Sequence, residues 1–239
     1  MSLLRILHTN DLHGKLTPSV AKQLAEMRAE CDLFFDTGDC IKAGNLAFAV
    51  RPEPVWPILA NLNCTASVPG NRESHLYEFA LRMKFAGHQH PILCANLARK
   101  NGGAIFPPST ILQIRNLRVA VFGVMVAMVT PKMASQAAAT LTWRAPIEVA
   151  VEQANRLAKE SDLVIALTHI GLRQDQLLAQ ATSDVQIILG GHSHSVLTTP
   201  ERVGQTWIAQ GGSHARFAGI YDWDGTALSG ELRPLVPGA

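Results

Sequence analysis

Short apolar runs alternate with helix-patterned stretches along most of the chain. Leu3 to Thr9 reads as a strand rich in Leu and Ile that ends at a polar loop. Thr17 then supplies a helix cap and Pro18 a helix start, with Val20, Leu24 and Met27 on one face. Leu33 to Phe35 predicts a second strand, followed at once by Asp36-Thr37-Gly38-Asp39. A helix is expected from Pro54 to Leu62 and a strand from Thr65 to Val68, just before Pro69-Gly70. Helical spacing recurs in Leu76, Phe79, Ala80 and Met83, and Ile92 to Ala95 reads as a short strand. Ile111 to Ile114 and Val119 to Val126 flank a turn at Asn116, as a hairpin would. After Pro146, the residues Ile147, Val151, Ala154 and Leu157 form one helical stripe. Leu163 to Leu167 and Val185 to Leu189 read as buried strands separated by a helix around Gln174 to Ala181. Trp207 to Ala209, Phe217 to Trp223 and the turn signal Asp224-Gly225 then give strands without helices. The pattern predicts an α/β fold, mainly parallel sheet covered by helices with an antiparallel end, in one domain over residues 1–239.

Composition narrows the function classes. With 47% hydrophobic and 17% charged residues, the 239-residue chain has ample material for a core and is not a disordered one. A net charge of +2, with no basic run longer than a dipeptide, gives no electrostatic footprint for duplex nucleic acid. The longest apolar stretch, Val119 to Val129, is too short to cross a bilayer, so no membrane partner is expected. The opening Met-Ser-Leu-Leu-Arg runs straight into a strand pattern and does not read as a secretory leader. Cys31, Cys40, Cys64 and Cys94 stand singly, as reduced thiols of a cytoplasmic protein would. A homo-oligomer is allowed for.

The chemistry lies at the ends of the strands. Asp11 and His13 follow the first, Asp39 the second and Asn71 the third. His169 follows the strand ending at Leu167, and His192 and His194 the one ending at Leu189. In an open parallel sheet these loops share one rim, where ligands bind. Two Asp, one Asn and four His are too many donors for one tetrahedral zinc and suit two cations with a shared carboxylate. Imidazole and carboxylate without thiolate favour Mn, Fe or Zn, with Mn preferred. The donors that carry most weight are in Gly190-Gly191-His192-Ser193-His194, because two imidazoles flanking one Ser after a Gly pair rarely have packing reasons.

The chain resembles the calcineurin-like metallophosphoesterases, and within them the 5'-nucleotidase branch. The resemblance rests on Ile6-Leu7-His8-Thr9-Asn10-Asp11-Leu12-His13-Gly14, Gly38-Asp39, Gly70-Asn71-Arg72-Glu73, Thr168-His169 and the Gly190–His194 run. Cys94-Ala95-Asn96-Leu97 and Gln210 to Phe217 are similar to further stretches of that branch. The resemblance implies a two-layer β-sheet sandwich flanked by helices, four layers in all, with a dinuclear site at the rim. By that analogy Asp11, His13 and His194 hold one metal, Asn71, His169 and His192 the other, and Asp39 bridges. A bridging hydroxide would attack the phosphorus of a phosphomonoester, nucleotide-like or not, or of a phosphodiester. His8, Glu73 and Asn96 are read as supports behind the ligands, with Asp36 beside them, and His214 as a rim residue contacting substrate.

Two features depart from the family. Where it has His after the metal-binding Asn, this chain has Arg72, and where the nucleotidase branch has an orienting Asp three residues on, it has His75. The favoured reading makes Arg72 a fixed cation on phosphate oxygens and His75 the proton donor. The alternatives are a leaving group that needs no acid, or feeble catalysis, the last extending to an inactive relative that binds metals and a phosphorylated ligand or protein. The second departure is length: a separate nucleotide-specificity domain is not expected within these 239 residues, so selectivity for AMP-type substrates is not expected from this chain alone.

Overall fold

The computed structural model describes residues 3–236. In chain order its first half holds β1 (Leu4–Thr9), α1 (Pro18–Ala29), β2 (Leu33–Asp36), α2 (Val55–Asn61), β3 (Ala66–Ser67), α3 (Glu78–Lys84), β4 (Leu97–Arg99) and β5 (Ser109–Ile114). The second half holds β6 (Leu117–Met125), β7 (Leu141–Trp143), α4 (Pro146–Leu157), β8 (Leu163–His169), α5 (Leu172–Ala181) and β9 (Ile187–Leu189). Strands β10 (Glu201–Val203), β11 (Thr206–Ala209), β12 (Phe217–Trp223) and β13 (Leu228–Pro234) close the chain.

Side-chain alternation builds the layers. In β1, Leu4 and Ile6 face a core between two sheets, while Leu7 faces a second core beneath helices. Leu33 and Phe35 of β2 point to the first core and Phe34 to the second. These strands lie in a five-stranded sheet ordered β13-β12-β1-β2-β3, whose β1–β2–β3 part is parallel. The facing six-stranded sheet runs β10-β11-β9-β8-β6-β5, parallel from β6 to β11 with antiparallel edges. In β8, Leu163, Ile165 and Leu167 enter the inter-sheet core, whereas Val164 and Ala166 pack under α4 and α5. Helices, two sheets and helices form the four layers that the family resemblance implied. At its C-terminal end each alternation changes chemistry: the inter-sheet face of β1 finishes on His8, and that of β8 on His169, both buried.

Local signals explain the boundaries. The Thr17 hydroxyl accepts the Val20 N–H at 3.3 Å, and Pro18 opens α1 where its missing N–H costs nothing. The turn between β5 and β6 places Arg115 at φ +54°, next to the predicted Asn116.

Two expectations need correction. Ile92 to Ala95 is not a strand: Leu93 N–H donates to Ser67, Cys94 to Pro107 and Ala95 to Gly123, three different partners. The segment is apolar because it is buried, and regular pairing begins only at β4, against β7. The stripe Leu76-Phe79-Ala80-Met83 is also displaced. Helix α3 buries Ala80, Leu81 and Lys84, and Phe79 is 57% exposed.

Gly123 lets the buried segment pass close to β6, since a Cβ there would strike the Leu93 carbonyl. Gly123→Ala should therefore lower unfolding free energy by about 1–3 kcal/mol, as overpacking does, read as a fall in the urea midpoint at constant slope.

Candidate functional site

The loops after β1, β2, β3, β8 and β9 meet at one rim. Five of the residues that converge there, Asp11, His13, Asp39, His192 and His194, have φ between +50° and +78°. Non-glycine residues enter this region at a cost of order 1–3 kcal/mol each, and they do so together only where surrounding contacts hold them. Those contacts are visible. Asp11 N–H donates to the Gly38 carbonyl at 2.9 Å and His13 N–H to that of Asp39 at 2.8 Å, lacing the β1 loop to the β2 loop. Glu73, 1% exposed, accepts the N–H groups of Asp39 and Gly70 at 2.8 Å and of Ile41 at 3.0 Å. One carboxylate thus ties the β2 loop to the β3 loop. Asn10 donates to Asp11 Oδ2 at 2.8 Å and to the Gly212 carbonyl at 2.7 Å, and accepts the Gly211 N–H.

All seven expected ligands come together. His13 Nε2 lies 3.6 Å from Asp11 Oδ1 and 3.5 Å from Asp39 Oδ2, and His194 Nε2 is 3.3 Å from Asp11 Oδ1. On the other side, His169 Nε2 lies 3.5 Å from Asp39 Oδ1 and 3.1 Å from Asn71 Oδ1, and His192 Nδ1 is 2.8 Å from the same Asn71 oxygen. Asp39 presents one oxygen to each side.

The protonation logic favours a cation. The Thr37 carbonyl can only accept, so His169 Nδ1, 2.7 Å away, carries the proton and Nε2 turns inward toward two oxygens. Such an arrangement is stable only with a proton or metal between lone pairs. Asp11 Oδ1 and His13 Nε2 are buried without a hydrogen-bond partner, which again marks where a cation fits. Burial alone would raise the Asp11 carboxyl, but His13, His169 and Asn10 hold it below the usual carboxylate range. His13 shows the converse: burial opposes its charge, yet Asp11 and Asp39 carry it to about 9. Among the described residues, two donor triads gather within metal-ligating reach, Asp11–His13–His194 and Asp11–Asp39–His169.

The supporting residues divide. His8 Nε2 donates to the Thr37 hydroxyl at 2.9 Å, since that hydroxyl itself donates to the Gly190 carbonyl. His8 therefore supports the residue that orients His169 and stays neutral, burial taking it down to about 3. Asp36 accepts the Thr9 hydroxyl and the Gly38 N–H, fixing the entry to the Asp39 turn. Arg72 donates its N–H to Asp39 Oδ1 at 2.7 Å and Nη1 to the Lys42 carbonyl, and its charge reaches His13 and His214. His214 stands at the rim, its ring 4.6 Å from that of His13, its N–H on the Asp11 carbonyl.

Two residues lie elsewhere. His75 is 2% exposed, packs on Phe48 and Tyr77, and accepts the Tyr77 N–H at Nδ1. Burial, with Lys84 nearby, lowers its pKa, and among the described residues no hydrogen bond, ion pair or ring contact joins it to the ligand cluster. Its aromatic neighbours took it into the wall. Asn96 clamps backbone instead, donating to the Met125 and Arg144 carbonyls and accepting the Met125 N–H. It secures the end of β6 beside His169 without touching a ligand.

Asp175, Gln210 and Thr37 were not anticipated. Asp175 is fully buried under the Gly190-Gly191 turn, accepting Thr168 Oγ at 2.6 Å and Gln210 Nε2 at 3.1 Å. Gln210 also accepts Ser193 Oγ and donates to the Gly191 carbonyl, so this pair backs the His192–His194 loop. Only the Gln at the end of β11 gave any sign, by lying in a stretch similar to the nucleotidase branch.

The chain belongs to the calcineurin-like phosphoesterase family, whose model matches residues 4–196. The metallophosphoesterase YunD of Bacillus subtilis is 25% identical over 232 residues, 92% of this chain and 49% of YunD. A 5'-nucleotidase of Diplobatis ommata is 26% identical, over 82% of this chain and 38% of its own length. Among solved structures, the NAD nucleotidase NadN of Haemophilus influenzae superposes with a TM-score of 0.79 at 17% identity, covering 97% of this chain and 50% of that one. The chain spans about half, or less, of the length of the curated relatives it matches.

Burial raises Asp175 to about 7, against the opposing hydrogen bonds of Thr168 and Gln210. A carboxyl raised on folding adds stability that is complete below the unfolded pKa near 3.8 and is lost as pH rises through 7. The metal-free protein should therefore lose unfolding free energy between about pH 4 and 7 in denaturant titrations, and Asp175→Asn should flatten that decline.

Proposed function

We propose that the chain is a phosphoric ester hydrolase that uses two divalent cations. The observation that carries this reading is Asp39, with Oδ2 toward His13 and Oδ1 toward His169. Asp11, His13 and His194 hold one cation, and Asn71, His169 and His192 the other, with Asp39 between. Manganese is the preferred occupant, since the donors are oxygen and imidazole without thiolate. When bound, the cation pair neutralises phosphoryl charge and brings the pKa of water in the site near 7.

The chain's own residues supply the rest. Asn71 adds a neutral oxygen where another carboxylate would repel an anionic substrate. Arg72 keeps its charge at any working pH and matches two phosphoryl oxygens in its fork. It cannot donate a proton, and the buried His75 is engaged by Tyr77, so neither protonates a departing oxygen. The site therefore suits esters whose leaving group departs as a stable oxyanion: aryl-type monoesters, or diesters whose departing oxygen is an aryl one. His214 guides the leaving group at the rim. Four buried, unpaired thiols suit a reducing compartment, and we place the protein in the cytoplasm on that ground.

The manganese-loaded protein should hydrolyse nitrophenyl phosphate and bis-nitrophenyl phosphate at least tenfold faster than glycerol phosphate. His192→Ala should lose at least 100-fold in turnover on both nitrophenyl esters. Two bound cations with no turnover on any ester would favour the inactive, ligand-binding relative. Arg72→Ala should raise KM for these esters; a large gain in monoester turnover from Arg72→His would contradict the role given to Arg72.

A further inference from the structure

Lys84 is the most deeply buried cation among the described residues: the last residue of α3, 0% exposed, with no carboxylate in hydrogen-bond contact. Its ammonium lies within hydrogen-bond distance of four backbone carbonyls, which share its three N–H donors: Gly44 at 2.8 Å, Asn45 at 2.9 Å, Arg72 at 2.6 Å and Ser74 at 2.9 Å. Burying an ammonium is costly unless its donors are met, and here they are met by only two loops. One loop follows Asp39 and carries Asn45; the other follows β3 and carries Asn71 and Arg72. Lys84 fastens the two together from below.

Above this fastening the loops meet a second time. Asn71 Nδ2 donates to Asn45 Oδ1 at 2.9 Å, which leaves Asn71 Oδ1 facing His169 and His192. An Asn side chain offers an oxygen on one edge and an NH₂ on the other, nearly equal in shape, so a partner must decide which edge faces inward. A cation is held only by the oxygen. We propose that Lys84 and Asn45 are a positioning relay: Lys84 fixes the Asn45 loop beside Asn71, and the Asn45 side-chain oxygen takes the Asn71 NH₂, turning the Asn71 oxygen to the metal. Asn45 itself is solvent-exposed and contacts none of the other six ligands through any hydrogen bond or ion pair, so its effect on the centre runs through Asn71. The relay rests on the metal reading above and says which residues make Asn71 a ligand.

The test is manganese titration by calorimetry, without substrate, on wild type, Asn45→Leu and Asn45→Asp. Wild type should take up two ions. Asn45→Leu removes the acceptor and should weaken one of the two binding events by 10–100-fold while leaving the other and the metal-free melting temperature unchanged. Asn45→Asp keeps an obligate acceptor and should restore that affinity to within about threefold of wild type, a rescue that a purely structural role for residue 45 would not give. Lys84→Met strips four buried carbonyls of their donor and should lower the melting temperature, which is why the Asn45 pair carries the decision. Two wild-type-like events in Asn45→Leu, or Asn45→Asp as weak as Asn45→Leu, would overturn the relay and leave the metal reading standing. Fewer than two events in the wild type would overturn both.

Discussion

The rim of this protein is organised around a shortage of protons. Asp11 and Asp39 bring three carboxylate oxygens, Asp11 Oδ1 and both of Asp39, into a buried space that also receives inward-turned nitrogens from His13, His169, His192 and His194. Lone pairs gathered so closely repel unless something positive lies between them. The fold nevertheless forces them together, with five of the seven residues in the left-handed backbone region. Strain and repulsion on this scale, several kcal/mol in sum, would disperse the loops if they were free. They are not free, because buried side chains lock each loop to its neighbour: Glu73 across three N–H groups, Asn10 across the last loop, Thr37 against His169.

The division of labour between layers follows from this. The apolar inter-sheet core ends at His8 and His169, so the strands carry hydrophobic contact up to the point where polar contact takes over. Below that level, alternation of Leu, Ile and Val sets strand position to within a residue, since a slip of one would expose the whole face. Above it, hydrogen bonds to backbone fix the loops, and glycine is required where two of them nearly touch. Gly70 is one such place: a Cβ there would run into Asp39 itself.

What could be read from the residues was periodic or dense. The β1, β2, β3, β8 and β9 strands show as apolar runs, and the Asp, Asn and His donors lie at or just past their ends, so their common rim was legible in the residues alone. The class of chemistry was legible through the family resemblance that the same donor motifs carry, and the family match bears it out. What stayed hidden depends on contacts between segments distant in sequence. His75 lies three residues from Arg72 and looks like its partner, yet Phe48 and Tyr77 bury it and the Tyr77 N–H occupies its nitrogen. Asn96 sits in a family-like stretch and proves to be a clamp on backbone. Nothing in the residue pattern marks Lys84 at the end of a short helix, and it is the meeting of two loops over it that takes it out of water.

The exchange of the family's His for Arg72 takes its meaning from these same contacts. Arg72 N–H donates to Asp39 Oδ1, so the residue is tied by its backbone to the carboxylate shared by both halves of the site. Its side chain, held by the Lys42 carbonyl, stands outside the ligand cluster and adds charge without competing for a metal position. A histidine there could trade a proton with a leaving oxygen, and general acid catalysis of that kind is commonly worth 10²–10⁴ in rate. An arginine gives that up for a permanent positive charge and two aligned donors. In the hydrolase proposed above, Arg72 would grip phosphate and leave the departure of the alcohol to the alcohol's own stability. Under that proposal the leaving group's chemistry would set selectivity before its shape.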